Sequence, residues 1–395
     1  MLALACLTLA IWTYLLCFHG KFWRLQHIRL AETPGPPSEA DTSEPATIAA
    51  IIPARDEAEL IGRAVSSLLR QEFTGKLHVF VVDDNSSDGT ANVARAVAAR
   101  LGAAEKLTVI PGLELLPGWT GKVLSMHQGW LAAREIKPDY ILFTDADIEH
   151  GAGTLRRLLA NIAGYDLVSL MVRLRTDNLR EKFLIPAFVY FFFLLYPPAK
   201  IADTRSRAAG AAGGCILLRS EILEKIGGLD KIAGELIDDC ALAKLVKGCR
   251  GHLWLGVTQQ TRSIRPYGTL GSIRDMIART AFNQLHYSSL LLLACVAGML
   301  LTFVAPLALV WSSNAVAAWL ALAACFMMFA SYLPILRLYR INLLAAVALP
   351  FAAIFYTYAT IVSAYRHWRH RGGEWKGRKA GYREQGTGYR GKDRE

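Results

Sequence analysis

From Thr47 to about Arg265, short apolar runs alternate with segments of helical spacing. The runs Thr47–Ile52, His78–Val82, Leu107–Ile110 and Tyr140–Thr144 are short and bounded by turn residues, as buried strands are. Between them, Glu57–Arg70, Asp88–Leu101 and Lys122–Arg134 carry apolar residues three and four apart, the spacing of one helix face. This alternation predicts an α/β domain of βα units around a mostly parallel, Rossmann-like sheet. Asp88, ahead of Gly89 and Thr90, is placed to cap the free amides of the second helix.

Outside that region the pattern changes. Leu2–Phe18, Leu290–Trp311, Ala315–Leu336 and Leu343–Ala364 are almost uninterrupted apolar stretches. A membrane-spanning helix needs about 20 such residues, so the last three suffice and the first is at the short limit. Leu2–Phe18 has no basic residue before it and no small-residue cleavage site after it, which speaks against a removable signal peptide. Lys21, Arg24 and Arg29 follow it, and basic residues beside a span hold that side in the cytoplasm. The predicted division is an anchor over 1–20, a linker over 21–46, a catalytic domain over 47–288, membrane helices over 289–365 and a basic tail over 366–395. The expected location is the inner (plasma) membrane, with the domain cytoplasmic. Leu343–Ala364, with Pro350 and several tyrosines, is the expected irregular segment, because three full C-terminal spans would put the basic tail outside. Phe183–Tyr196 is strongly aromatic but only 14 residues long. It reads as an interfacial segment, with a buried core helix as the alternative.

Composition sharpens this picture. Hydrophobic residues make up 53% of the 395 and charged residues 19%, as four apolar stretches require. The formal net charge is +11, and the tail from Arg366 contributes ten Lys/Arg against four Asp/Glu. That concentration beside a span speaks for anionic lipid heads, or for a solvated tail, and against nucleic acid. The seven cysteines form no CxxC pair, which excludes a familiar zinc site and a disulfide framework.

The candidate chemistry stands where strands end, and in open α/β sheets ligands bind beyond the carboxyl ends of strands. Ile51-Ile-Pro53-Ala-Arg55-Asp-Glu57 closes the first run, and Val81-Val-Asp83-Asp84-Asn-Ser-Ser-Asp-Gly-Thr90 closes the second. Asp83 or Asp84 can accept a hydrogen bond from a base or ribose, although turn chemistry explains these residue types equally well. Leu142-Phe-Thr-Asp145-Ala-Asp147-Ile148 puts two carboxylates at the end of an apolar strand. Carboxylates suit Mg²⁺ or Mn²⁺, with diphosphate oxygens and water completing the shell. Asp238 and Asp239 open a helical segment; one can act as a general base, or both can simply complement the helix dipole. Lys122 in Trp119-Thr-Gly-Lys122 is a candidate phosphate partner, and Gly210-Ala-Ala-Gly-Gly-Cys215 allows close backbone approach.

The order IIPARDE, VVDDNSSDGT, GK, TDAD and IDDCAL resembles glycosyltransferase family 2, whose members are inverting enzymes with the GT-A fold. The resemblance covers Thr47 to Arg265 and implies a nucleotide-diphosphate sugar donor with Mg²⁺ or Mn²⁺. It implies donor contacts from Pro53, Arg55, Glu57, Asp83, Asp84, Lys122 and Asp145, metal contacts from Asp145 and Asp147, and a base at Asp239 beside Asp238. Asp238 replaces the Glu of the family's Glu-Asp pair. Gln259-Gln-Thr-Arg262 lacks the Trp that follows it in processive members, so a polysaccharide synthase is disfavoured. Ile277–Leu285 (IARTAFNQL), the short anchor and the apolar C-terminal third are similar to the hopanoid-associated branch, which implies a lipid acceptor. The alternatives are a polyprenyl-phosphate or polysaccharide glycosyltransferase and, in another class, a catalytically idle nucleotide-binding scaffold. No G-x-G-x-x-G opens the first βα turn, which argues against a dinucleotide enzyme.

Overall fold

The computed structural model describes residues 1–30 and 45–369, with the backbone at 374–375 and 378–379. Most of the linker and of the basic tail lies outside the described residues. The domain is built on an eight-stranded sheet of order β3-β2-β1-β4-β7-β6-β8-β5. Its strands are β1 (Thr47–Ala54), β2 (Lys76–Asp83), β3 (Leu107–Pro111), β4 (Tyr140–Thr144), β5 (Ile148–Glu149), β6 (Leu167–Arg173), β7 (Cys215–Arg219) and β8 (Leu253–Ser263). The first four are the expected runs, extended by up to two residues at either end. They pair in parallel, as do β6 and β8, while β7 runs antiparallel between β4 and β6. β1 is buried on both faces, because helices cover the sheet on each side.

The N-terminal helix α1 (Leu2–Cys17) is followed by three helices of the expected spacing: α2 (Ala58–Leu69), α3 (Thr90–Arg100) and α4 (Gly121–Ala133). Gly129 lets α4 lie close on the sheet, since a Cβ there would stand 2.5 Å from Ile51 Cγ2. Asp88 is not the N-cap of α3; Gly89, at φ 86°, occupies that position. Instead Asp88 Oδ1 accepts from the Thr90 amide and Oδ2 from the Ala58 amide, so one carboxylate joins the starts of two helices. Further helices are α5 (Thr154–Ile162), α6 (Leu179–Leu195), α7 (Asp238–Gly248) and α8 (Leu270–Ala278).

The aromatic segment forms most of α6, which is longer than expected and, with Pro198–Ala202, makes an apolar stretch of 24 residues. Its most apolar window is 56% buried in the protein, against 17% for Ser289–Leu309, so it is as much core as interface. Both of its ends are tied to the domain. Asn178 and Glu181 form a capping box at the start, and Glu181 Oε1 also accepts from the Tyr267 amide. At the other end Tyr196 Oη donates to Gln284, and Lys247 Nζ donates to the Ile201 carbonyl.

Three further helical stretches are long and apolar enough to cross a membrane: α9 (Ser289–Leu309), α10 (Ala315–Leu338) and α11 (Leu343–Trp368). α9 contains a π turn at Leu300–Val304, ahead of Pro306. α11 opens with a 3₁₀ stretch, Leu343–Ala348, before Pro350, at the segment expected to be irregular. α1 has 16 residues and packs with α9 and α10 through Ala5, Leu309, Ala317 and Ala321. Trp12 Nε1 donates to the Thr302 carbonyl in the same bundle. Every cysteine is a free thiol.

Candidate active site

The chain leaves β1 toward β2 on one side of the sheet and returns to place β4 on the other side of β1. A crevice forms at the carboxyl ends of strands where the order reverses in this way. A cavity of about 480 Å³ opens there. Pro53 and Glu57 reach it from the end of β1, Asp145 and Asp147 from the end of β4, and Lys122 from the first turn of α4. Asp238 and Asp239 arrive from the start of α7. Seven of the ten sequence-predicted residues therefore converge on one space.

Arg55, Asp83 and Asp84 do not line this cavity. They follow β1 and β2, and the end of β2 lies one strand, about 4.8 Å, farther from the reversal point. Asp84 is almost fully buried, and its Oδ2 lies 3.6 Å from Arg55 Nη1. Asp83 Oδ1 accepts from the Ser86 amide, 3.1 Å, in a local turn. Gly112 packs so close to this pair that a Cβ would be 2.8 Å from the Asp83 carbonyl oxygen.

Within the cavity charges interlock. Lys122 Nζ lies 3.0 Å from Asp145 Oδ1 and 3.2 Å from Asp238 Oδ2. It is not the solvated surface lysine that an isolated Gly-Lys would suggest. Asp147 Oδ2 accepts from the Ser263 hydroxyl at 2.6 Å and lies 3.4 Å from Arg265 Nε. Arg265 also donates to Glu57, joining the ends of β1, β4 and β8. Asp239 Oδ2 accepts from the Gly213 amide and Oδ1 from the Cys240 amide, both at 2.7 Å. A Cβ on Gly213 would stand 3.2 Å from Asp239 Oδ2 and 3.4 Å from Lys122 Nζ, so the Gly213 backbone lies close against these two side chains.

A family model described as "Glycosyltransferase like family 2" matches residues 45–252, just over half of the chain. The chain belongs to that family. Among solved structures, the mannosyltransferase PcManGT from Pyrobaculum calidifontis, in complex with GDP-Man and Mn²⁺, is similar at 20% identity and a TM-score of 0.53. That likeness covers 93% of this chain and 99% of the other, and it shows a shared GT-A fold. Mannosyl-3-phosphoglycerate synthase from Rubrobacter xylanophilus matches at 16% identity and a TM-score of 0.40, over 69% of this chain and 86% of its own. No curated protein sequence matches the chain.

The electrostatics of this glycosyltransferase distinguish its two neighbouring α7 acids. Burial pushes the Asp239 carboxyl up to about 6, reinforced by Asp238, while Lys122 and the Cys240 and Gly213 amides oppose the rise. Asp238 is the one paired directly with Lys122. Burial also works against the Lys122 charge, but Asp145, Asp238 and Asp239 outweigh it and hold the ammonium above its ordinary pKa. Burial raises Asp147 as well, against the pull of Arg265.

The donor set fits a divalent cation bound jointly with a phosphate. Among the lining residues seven are carboxylates and three are cations, counting Glu235, Asp275 and Arg279 at the rim. An anionic diphosphate entering such a space needs added positive charge. Among the described residues no group of three or more His, Cys, Asp or Glu forms a closed cage. Mg²⁺-type sites commonly consist of one or two carboxylates plus substrate oxygens and water. Asp145 and Asp147 can contribute that protein share.

Sequence reasoning missed Ser263, Arg265, Tyr267 and Arg279, all of which line the cavity. Ser263 ends β8 behind the polar run Thr258–Arg262 and Arg265 lies two residues beyond, so the rule that flagged the acids, polar residues directly after an apolar strand, does not single them out. Tyr267 and Arg279 follow no such rule either; only the return of the chain past the β4 end puts them there.

Proposed function

We propose that the protein is a membrane-bound inverting glycosyltransferase that moves a sugar from a nucleoside-diphosphate donor to a hydroxyl of a lipid. The observation that carries this reading is a single cavity whose lining is of two unlike kinds. One kind is charged: Lys122, Asp145, Asp147, Asp238 and Asp239. The other is apolar: Phe188 and Phe192 of α6 with Met171, Leu174 and Met276. A water-soluble acceptor gains little from such an apolar lining, whereas each apolar group buried against it gains about 25 cal/mol per Å².

In this mechanism Asp239 accepts the proton of the acceptor hydroxyl as its oxygen attacks the anomeric carbon. Its value near 6 leaves it ionised at neutral pH and still basic enough for the task. The amides of Gly213 and Cys240 hold the carboxylate in place. Asp238 positions Lys122, whose charge faces the leaving diphosphate. Asp145 and Asp147 would hold Mg²⁺ or Mn²⁺, which supplies positive charge to the departing group. The similar mannosyltransferase was solved with GDP-Man and Mn²⁺, which supports this choice of donor class and metal. Within the lipid class, a hopanoid-type acceptor is the narrower proposal, resting on Ile277–Leu285. Arg279 in that segment lines the cavity. The domain is assigned to the cytoplasmic side, because Lys21, Arg24 and Arg29 leave α1 next to it.

The test is transfer from a panel of nucleotide sugars to extracted lipids by the purified full chain, read by mass spectrometry. Metal-dependent formation of a glycolipid is expected, lost on chelation and restored by Mn²⁺ or Mg²⁺. Equal transfer to short soluble acceptors would remove the lipid part of the proposal, and no donor turnover under any condition would favour the idle scaffold.

A further inference from the structure

α11 has the length and composition of a crossing helix, yet it and the residues leading into it meet the domain at several points. Just before it, Arg340 Nη2 donates to Gln259 Oε1 on β8, and Tyr339 Oη accepts from the Leu174 amide. Midway, Tyr356 Oη donates to the Leu184 carbonyl on α6, close to the end of α6 that caps against Tyr267. Near its end, Ser363 Oγ donates to the Ala278 carbonyl and accepts from the Phe282 amide. One turn later Arg366 pairs with Asp275 at 2.6 Å, and the His367 ring stacks on Tyr287 at 4.2 Å between centroids. The lead-in, the middle and the end of α11 therefore touch β8, α6 and α8 in turn.

An upright crossing contradicts that arrangement. A helix rises about 1.5 Å per residue, so an upright α11 would carry Arg366 about 35 Å from Leu343, to the side opposite Arg340 and the domain. α9 and α10 behave differently. Both reach the loop 310–314, which bears no charged residue and exposes Trp311, whereas Arg337 and Arg340 lie at the end of α10 that meets the domain.

The two faces of α11 also differ. Ala352, Ala353, Tyr356, Ala359 and Ser363 are buried against the protein. Phe351, Ile354, Tyr358, Ile361, Tyr365 and Trp368 are exposed, spaced alternately three and four apart, in one stripe along the whole helix. Trp319 and Phe326 of α10 are likewise exposed. The stripe ends in Trp368 beside Arg366 and Arg369, and Trp with Arg marks a membrane–water boundary.

We propose that α11 lies in the plane of the membrane interface, its stripe sunk into the bilayer on the domain's side, and does not cross. The occupant of the exposed face is lipid. Arg366 and Arg369, at the end of α11, then stand on the domain's side, as the positive-inside tendency requires. The domain is held to the surface along α6, α8 and α11, with Met276 and Asp275 of α8 at the cavity rim. The inference rests only on the membrane part of the proposed function; a protein inactive in sugar transfer could still have this topology.

The test uses the full chain in nanodiscs, with native cysteines replaced and single nitroxide probes at Phe351→Cys, Tyr358→Cys and Tyr365→Cys. Depth is read from oxygen against aqueous nickel accessibility. An in-plane α11 gives the three probes one depth, about 5–10 Å below the boundary. A crossing α11 spreads them over about 21 Å, with one near the midplane, and overturns the proposal. Probes shielded from both reagents, and freed when the protein is diluted to one copy per disc, would show a second copy on the stripe and overturn it equally. A probe at Phe326→Cys in α10 separates the underlying reading: it should lie deep, and a water-exposed Phe326 would sink membrane insertion itself.

Discussion

The polar and the apolar lining of the cavity are made in different ways. In the polar lining, Asp145 and Asp147 follow β4 and Arg265 follows β8, while Lys122, Asp238 and Asp239 stand at the starts of α4 and α7, and charges are tied together: Lys122 to Asp145 and Asp238, Arg265 to Asp147. In the apolar lining, Phe188 and Phe192 come from α6, held by packing between the domain and the apolar helices. The Tyr190 hydroxyl meets Ser331 of α10 at 2.7 Å, and its ring packs edge-on to Phe22 and Tyr332. On the proposed function, reaction geometry is entrusted to the ion-paired strand and helix ends, and contact with an apolar acceptor to α6. Changes in the polar lining should strike turnover, and changes in the apolar lining should strike acceptor affinity.

The largest expected effect is at Asp239. Asp239→Asn should lower kcat by about 10²–10⁴ with folding retained, the range for loss of a general base. Circular dichroism and Mn²⁺-dependent transfer, measured on the same preparation, decide it, and near-normal turnover would remove Asp239 from that role. Gly213→Ala comes next. The new Cβ stands 3.2 Å from Asp239 Oδ2, tight enough to shift the carboxylate, and about tenfold should be lost from kcat, on the scale where a ~1 Å misplacement costs ~10². An intact rate would mean the Gly213 backbone gives way without moving the acid.

In the apolar lining, Phe192→Ser should raise KM for the lipid acceptor about tenfold, the equivalent of roughly 1.4 kcal/mol of lost burial, with a smaller change in kcat. A selective loss of kcat instead would dissolve the division between the two linings. The pH profile probes the polar lining alone. Asp239 must be unprotonated to accept a proton and is raised to about 6, so kcat/KM should fall about tenfold per pH unit below that value and level off above it. That acid limb should disappear in Asp239→Asn. The smallest effect lies away from the cavity: Asp88→Ala should cost about 1 kcal/mol of stability, read as a lower Tm, because it frees the Thr90 and Ala58 amides together.

Local rules made much of the first half of the domain legible. The runs ending at Ile52, Val82, Ile110 and Thr144 became β1 to β4, and the helices between them began and ended within two residues of their spacing patterns. Beyond Thr144 the same rules thinned out. β7 is antiparallel and enters between β4 and β6, and β5 has only two residues, too few for any periodicity to register. Phe183–Tyr196 could be read as interface or core from its composition. Its burial follows from contacts with Phe22, Phe303, Tyr332 and Tyr356, all far away in sequence.

By itself the sequence determined that acids stand at strand ends, that the domain is α/β, and that apolar helices flank it. These depend on spacing over a few residues, where backbone geometry alone relates pattern to structure. Tertiary structure decided which acids share a space. It kept Asp145, Asp147, Asp238 and Asp239 together and turned Asp84 inward to Arg55, because strand order, a long-range property, sets which ends adjoin the reversal point. It also decided where α11 runs. Length and hydropathy are the same for a helix that crosses a bilayer and one that lies along its surface, and only the contacts at Leu184, Asp275 and Ala278 tell them apart.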